Sequence, residues 1–422
     1  MRGNVWHDTA KEPPITAQAF HGDMKTTVAV VGGGFAGLSA ALHLAEAGVD
    51  CCLLEAAAFG EGASGRNNGQ VIPGLKLGPA DLRKRYGDAG ETVVETAAGA
   101  ADLVFDLIEK HAINCEPDRR GWVRAAHSPI AMPAIEKQAR QWQDYGAPVD
   151  VLDQGQIAEL LGSDRYVGGM IDRRAGRLHP LSYCHGLARA AQSKGARLYQ
   201  NSPVLSLSKN GSDWHIKTAQ GTLTAEKVIL ATGAYSDHLV PGWSKGFMTV
   251  HAMQIASAPL SSNILKTVLP GASAMSDTRK LAHAIRLDAE GRIIISGRGP
   301  LSGRIDDSVV QQLVRTIGRL FPTVDGQDWT HVWAGRIGIT MDELPRLSSP
   351  QPGLYGIVGF NGRGVAMATA FGKAAAQHCM DQPAGFPIVD APKVPFHTLR
   401  KPILAAAIAY YRTRDALGLA SR

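Results

Sequence analysis

"TTVAVVGGGFAGLSAALHLAEAGVDCCLLEAAAFG", residues Thr26 to Gly60, decides the fold. Val28 to Val31 is a short unbroken apolar run, the pattern of a parallel strand buried on both faces. Gly32, Gly34 and Gly37 follow at once in G-x-G-x-x-G spacing. The first glycine lets the chain turn tightly. The second lets backbone approach a pyrophosphate, and the third lets helix and strand pack closely. Phe35 and Ala36 fill the places between and belong to the same contact surface. "FAGLSAALHLAEAG" has apolar positions at helical spacing and ends at Gly48. Its first N–H groups are unpaired and favour an anion. "DCCLLE" is a second buried strand. Glu55 closes it, twenty-one residues after Gly34, where a carboxylate can accept from a ribose diol, with Ala56 beside it. Strand, turn, helix and acidic terminus in one register describe a dinucleotide site. They do not separate NAD from FAD.

The rest of the chain sets bounds. Its 422 residues allow two domains or one interleaved architecture. With 45% hydrophobic and 19% charged residues it is an ordinary globular chain, which excludes a disordered one. Net charge is +6, but the basic residues are scattered, so nucleic acid is not an expected partner. The five cysteines form no CxxC pair and leave an odd count, which reads as a reducing compartment and a cytoplasmic location. No metal site is expected. Residues 1–24 read as an extended arm without the apolar core of a secretory signal. No uncharged apolar run reaches about 18 residues, so no membrane span is expected. Residues 401–422 are a basic, alanine-rich helix, read as packed on the body, with weak peripheral membrane contact as the alternative.

Two more stretches suit a large polar cofactor. "GEGASGRNNGQV", Gly60 to Val71, is rich in glycine, serine and amides around a single arginine. "KVILATGAYS" is an apolar strand ending at Thr232 and Gly233, small residues at a strand edge. Because these signals are separated, the domains are read as discontinuous. The expected fold is α/β: a Rossmann-type cofactor domain of the glutathione reductase type, interleaved with an α+β substrate domain on a mostly antiparallel sheet. The cofactor domain is assigned residues 25–78, 150–245 and 331–400. The substrate domain is assigned 79–149, read as largely helical at first, and 246–330.

The order of the pieces resembles the D-amino acid oxidase superfamily of FAD-dependent amine oxidoreductases. "VVGGGFAGLSAALHLAEAG", "GASGRNNGQV", "ATGAYS", "TMDELP" and "GFNGRGVAMATAFGKAAA" carry the likeness, over about Thr27 to His378. Within the superfamily the chain is similar to the branch of γ-glutamylputrescine oxidase and bacterial pipecolate oxidase. The resemblance implies FAD, with the glycine motif and Glu55 holding its ADP half. Ala63, Ser64, Arg66, Asn67, Asn68, Gly69 and Gln70 would approach the pyrophosphate and flavin. Val204 would meet the adenine end through its backbone. Gly359, Asn361, Gly362, Arg363, Gly364 and Val365 would lie beside the flavin's pyrimidine edge, where a helix N-terminus favours negative charge. Asn68 departs from the pattern, since relatives carry glycine there.

A second departure lies in "VWAGRIGITMDELPRL", Val332 to Leu347. In glycine oxidases and D-amino acid dehydrogenases this motif reads G-x-R-P-x-T-x-D, and its arginine grips the substrate carboxylate. Here Gly335, Thr340 and Asp342 match, but the arginine's place holds Ile337. Arg336 is one residue early, which on a strand points it to the opposite face. Related sarcosine oxidases tether flavin through a cysteine at the Gly335 position, so this chain is expected to bind FAD without a covalent link. Arg286, Arg298 and Arg363 are candidate partners for a substrate carboxylate. His251, His283, Trp333 and Asn361 are candidate cavity residues. The expected reaction is oxidation of a C–N bond in a secondary amine or amino acid, with oxygen or a carrier as electron acceptor. A carrier-coupled D-amino acid or imino acid dehydrogenase, an NAD-dependent dehydrogenase and a non-enzymatic flavin-binding subunit stay open.

Overall fold

The computed structural model describes residues 1–236 and 239–419. The opening motif forms the expected unit: strand Met24–Val31, helix Phe35–Glu46, strand Cys51–Leu54. A Cβ on Gly37 would stand 1.9 Å from the carbonyl oxygen of Gly32, so only glycine lets the helix lie against the turn. These strands sit at the centre of an eight-stranded sheet. Its order is Arg346–Gln351, Leu354–Val358, Thr222–Leu230, Met24–Val31, Cys51–Leu54, Arg197–Tyr199. The inner pairings are parallel, and the hairpin Ser206–Asn210/Asp213–Lys217 adds antiparallel strands to Thr222–Leu230. The helices Phe35–Glu46, Pro180–Ser193 and Gly364–Cys379 pack on this sheet through fully buried apolar residues such as Leu38, Leu187 and Phe371. Burying one such side chain stabilises by roughly 1.5–3 kcal/mol.

A second eight-stranded sheet carries the other half of the molecule. Its order is Trp329–Ile339, Met248–Ser257, Ile293–Arg298, Ala284–Leu287, Ala274–Asp277, Trp122–Ala125, Gly169–Asp172, Val149–Leu152. Every pair is antiparallel except Ala274–Asp277 with Trp122–Ala125. The amphipathic helix Asp307–Leu320 covers it, burying Val310, Leu313 and Ile317. This is the two-domain α/β architecture expected.

The domain limits need correction. Residues 149–172 and 329–339 were divided between the cofactor domain and its neighbour, yet their strands hydrogen-bond within the second sheet. Helices Gly90–Ala98 and Ala100–Lys110, assigned to the substrate domain, bury Val93, Val94 and Val104 in the first core. Trp122–Ala125 is a strand inside a stretch read as largely helical. Strand pairing is long-range, and alternating apolar residues look alike in either sheet.

The arm is not wholly extended. Val5–Thr9 is a short helix capped by the Asn4 side chain, with Val5 and Trp6 fully buried. Asn4 and Trp6 donate to the carbonyls of Gly65 and Asn67, and the Arg2 N–H donates to that of Thr330. The arm thus stitches the glycine-rich loop to the second sheet. At the other end, Arg400–Ala416 is a helix without a buried residue. Residues 420–422, the end of the expected helix, lie outside the described residues. No helix among the described residues is long and apolar enough to cross a membrane.

Candidate active site

One cavity of about 1880 Å³ opens between the two sheets. It begins at the glycine turn. Gly32, Gly34, Phe35 and Ala36 line it, while Gly37 lies behind the turn as a packing residue. A Cβ on Gly34 would stand 2.7 Å from Ser64 Oγ, and that hydroxyl takes the N–H of Phe35 at 3.0 Å. Any side chain at Gly34 would fill the cradle at the helix N-terminus. Glu55 accepts the N–H groups of Gly33 at 2.6 Å and Ala57 at 2.9 Å, which fixes its carboxylate at the cavity edge beside Ala56. Val204, Thr232 and Gly233 line the same end.

The loop Ala63 to Gln70 runs along the floor. Asn67 Oδ1 accepts from Gly69 N at 2.7 Å, and its Nδ2 donates to the Ser64 carbonyl at 2.6 Å. Arg66 is tied to Glu61, and its carbonyl accepts from Gln254 Nε2 and from Trp333 Nε1. Asn68, the departure from the family pattern, is held between Gln254 and Gln70, and Gln70 accepts from Ser276 at 2.9 Å. Gly335 faces this loop, with Arg66 Cβ 3.2 Å from where its own Cβ would be. Gly359, Gly362, Arg363, Gly364 and Val365 form the far wall. Asn361 also lines it, but its amide is spent locally on Thr340 and the Gly359 carbonyl, at a backbone φ of 53°.

The candidate substrate residues divide. Arg286 does not line the cavity. It is fully buried behind the loop, donates to the carbonyls of Asn68 and Leu178, and lies over the Trp6 ring. Burial pushes its pKa down to about 9. Trp333 is likewise a packing residue, edge-on to Trp6. Neither lines the cavity, because the loop they support stands between. Arg363 lines the cavity, but its Nη1 is anchored on the carbonyls of Gly74 and Leu75. His283 belongs to a cluster with Asp277 and Arg279. Burial works to raise the Asp277 carboxyl, yet these partners overcome it and hold it below the usual carboxylate range. Arg298 and His251 face the cavity. Burial lowers both pKa values, helped by Arg412 for the first and Arg336 for the second. Arg336 stacks on Tyr235, its guanidinium carbon 4.9 Å from the ring centre.

Several cavity residues were no candidates in the sequence: Trp122 and Arg124 from one strand, Lys76, Lys280, and Glu343 from the TMDELP stretch. These segments meet only in the folded chain. The outer wall is the C-terminal helix, through Ile403, Leu404, Ala407, Ile408 and Tyr411. Asp415 latches it by accepting the N–H groups of Lys280 and Leu281, each at 3.0 Å.

The family model described as FAD dependent oxidoreductase matches residues 27–378. The chain belongs to the FAD dependent oxidoreductase family. Gamma-glutamylputrescine oxidoreductase of Escherichia coli (strain K12) is 31% identical over 399 residues, 93% of each chain. The fold is similar to that of glycine oxidase from Geobacillus kaustophilus, with TM-score 0.75 and 22% identity over 88% of this chain and 99% of that one. It is also similar to L-amino acid deaminase from Proteus myxofaciens, with TM-score 0.73 and 16% identity over 90% and 95%.

As a member of this family the chain is an FAD-dependent oxidoreductase acting on CH–NH or CH–NH2 groups. The site suits the cofactor: a glycine cradle at a helix N-terminus, a carboxylate one strand away, and a long cavity between the sheets. FAD is held non-covalently. None of the five cysteines lines the cavity; all are buried elsewhere.

Proposed function

We propose that this chain oxidises the C–N bond of a secondary amine or amino acid, within the γ-glutamylputrescine oxidase and pipecolate oxidase branch. A γ-glutamylated polyamine and a cyclic imino acid are the model substrates. The observation that carries this reading is Ile337, a cavity residue where an α-amino acid oxidase of the glycine oxidase type needs its arginine clamp. The whole-length likeness to the Escherichia coli gamma-glutamylputrescine oxidoreductase supports it.

Bound FAD would supply the hydride-accepting chemistry for oxidation of the carbon beside the substrate nitrogen. The protein's share is position and electrostatics. Gly32, Gly34, Ser64 and Glu55 would hold the ADP half, the loop at Arg66 to Gln70 would support the ring, and Gly359 to Val365 would border its polar edge. Partial burial and then the neighbouring Arg336 lower the His251 pKa, which favours its neutral form. The same setting favours the neutral substrate amine, since burial and neighbouring cations penalise an ammonium. Water then splits an open-chain imine into a carbonyl compound and a smaller amine, and opens a cyclic one to a single amino-carbonyl product. Oxygen is the proposed acceptor, giving hydrogen peroxide. Five buried, unpaired cysteines support a cytoplasmic setting.

The test is an anaerobic screen of amines and amino acids for loss of the flavin absorbance, followed by admission of air. N-substituted amines are expected to bleach the protein and air to restore it. Bleaching by primary D-amino acids alone would overturn the substrate class. Slow recovery in air would move the reading to a carrier-coupled dehydrogenase; the segment Arg292 to Gly299 supplies no lysine to assist oxygen.

A further inference from the structure

The cavity's charge is lopsided at one corner. Arg124 and Trp122 lie on one face of the strand Trp122–Ala125, opposite the buried Val123 and Ala125. Arg124 donates to Gln138 and has no carboxylate within ion-pair distance among the described residues. Lys76 and Lys280 both reach Glu343 Oε1, at 3.2 and 3.0 Å. Arg363, half-buried beside them, rests on two carbonyls and on the Trp122 ring. Four cations therefore share one carboxylate. The other carboxylates along this stretch are already matched: Asp277 with Arg279, Asp81 with Lys137, Asp342 with Arg346. Arg363 feels Arg124, Asp172 (itself paired with Arg174) and Glu343, and Lys76 feels Glu343 and Arg363, so the groups form one electrostatic unit.

Charges withdrawn from water and left unmatched are costly, and such sites persist where a counter-charge arrives. Arg124, half-buried and without a carboxylate partner, and Lys76, exposed and sharing Glu343 with Lys280, both line the cavity. The geometry points to this corner as the receptor for a carboxylate on the substrate, with Arg124 and Lys76 as its ligands. It would stand in for the arginine clamp missing at Ile337, with Arg124 supplied by another strand of the second sheet. The inference rests on the proposed amine oxidation and adds that the preferred amine is acidic. Glu343 opposes the carboxylate and tempers its affinity.

Glutarate, which carries no amine to oxidise, tests the site by its perturbation of the holoenzyme's flavin spectrum, with glutaramide as the uncharged match. Glutarate is expected to bind and glutaramide not. Arg124→Gln should weaken glutarate about tenfold or more, the loss expected for a charge-assisted contact. Arg124→Lys should recover part of it, and Glu343→Gln should tighten it. Lys137→Gln, a cavity cation paired with Asp81, should change nothing. FAD content, measured on each variant, reports folding. Equal binding of glutarate and glutaramide would overturn the proposal. So would unchanged glutarate affinity in both Arg124→Gln and Lys76→Gln. Inorganic phosphate displacing glutarate at equal concentration would overturn the carboxylate assignment. Because the probe is not turned over, the outcome is separate from the amine screen: either reading can fail alone.

Discussion

Arg336 and Ile337 are neighbours in sequence and both border the cavity, so it is their contacts that separate their roles. Arg336 pairs across the sheet with His251 and stacks on Tyr235, which follows the strand Thr222–Leu230. Such a contact is worth about 0.5–1 kcal/mol at a partly exposed site. Arg336→Ala should therefore reduce the fraction of bound FAD while leaving the KM for the amine near its original value. A large rise in KM at full FAD content would reverse that assignment. Gly34 makes the complementary case. An added methyl group meets the Ser64 hydroxyl at 2.7 Å, an overpacking that costs about 1–3 kcal/mol. Gly34→Ala should yield a folded protein without flavin, seen as native circular dichroism and no absorbance near the flavin maximum.

At the scale of elements, the C-terminal helix Arg400–Ala416 combines two properties. It buries no residue, yet five of its side chains face the cavity and Asp415 latches it to the loop at Lys280 and Leu281. A chain ending at Leu399 should keep its FAD and its melting temperature but change its KM for amines severalfold. Equal KM values in the two chains would show that the helix is not part of the substrate's surroundings. The sequence allows a helix here but does not reveal its partner, because a half-exposed face has no strong periodicity. The same contrast runs through the molecule. The opening strand, turn and helix are legible because their contacts are local: glycines, an apolar run and Glu55 within one short unit. Arg124 is not, since its strand lies in a stretch of helical composition and its neighbours Lys76, Lys280 and Glu343 are far apart in sequence. Arg286 and Trp333 misled for the opposite reason. Their residue types suit a ligand site, while their surroundings make them supports for the floor loop.

For the whole molecule, the junction between sheets, floor loop and N-terminal arm is sensitive to acid. His179 caps the helix Pro180–Ser193, contacts Thr9 at 3.1 Å and packs edge-on to Trp6. Burial and then the nearby Arg286 hold its pKa down to about 3. A histidine neutral in the folded state gains its proton first in the unfolded chain. Its contribution to stability is complete above the ordinary value of 6.5 and is lost as pH falls from there toward about 3. One such group contributes a slope of at most about 1.4 kcal/mol per pH unit. His43, His127 and His185 shift in the same direction. Denaturant unfolding between pH 7 and 5 should show falling stability, and His179→Gln should flatten that slope by up to one proton's share. An unchanged slope would place the sensitivity elsewhere. The latched helix at the other terminus has a different consequence. Because the wall it forms belongs to neither hydrophobic core, that segment can be exchanged between relatives, or redesigned residue by residue, without repacking either sheet. Substrate range can then drift while the flavin machinery stays intact, which makes this helix the natural first target for a directed library.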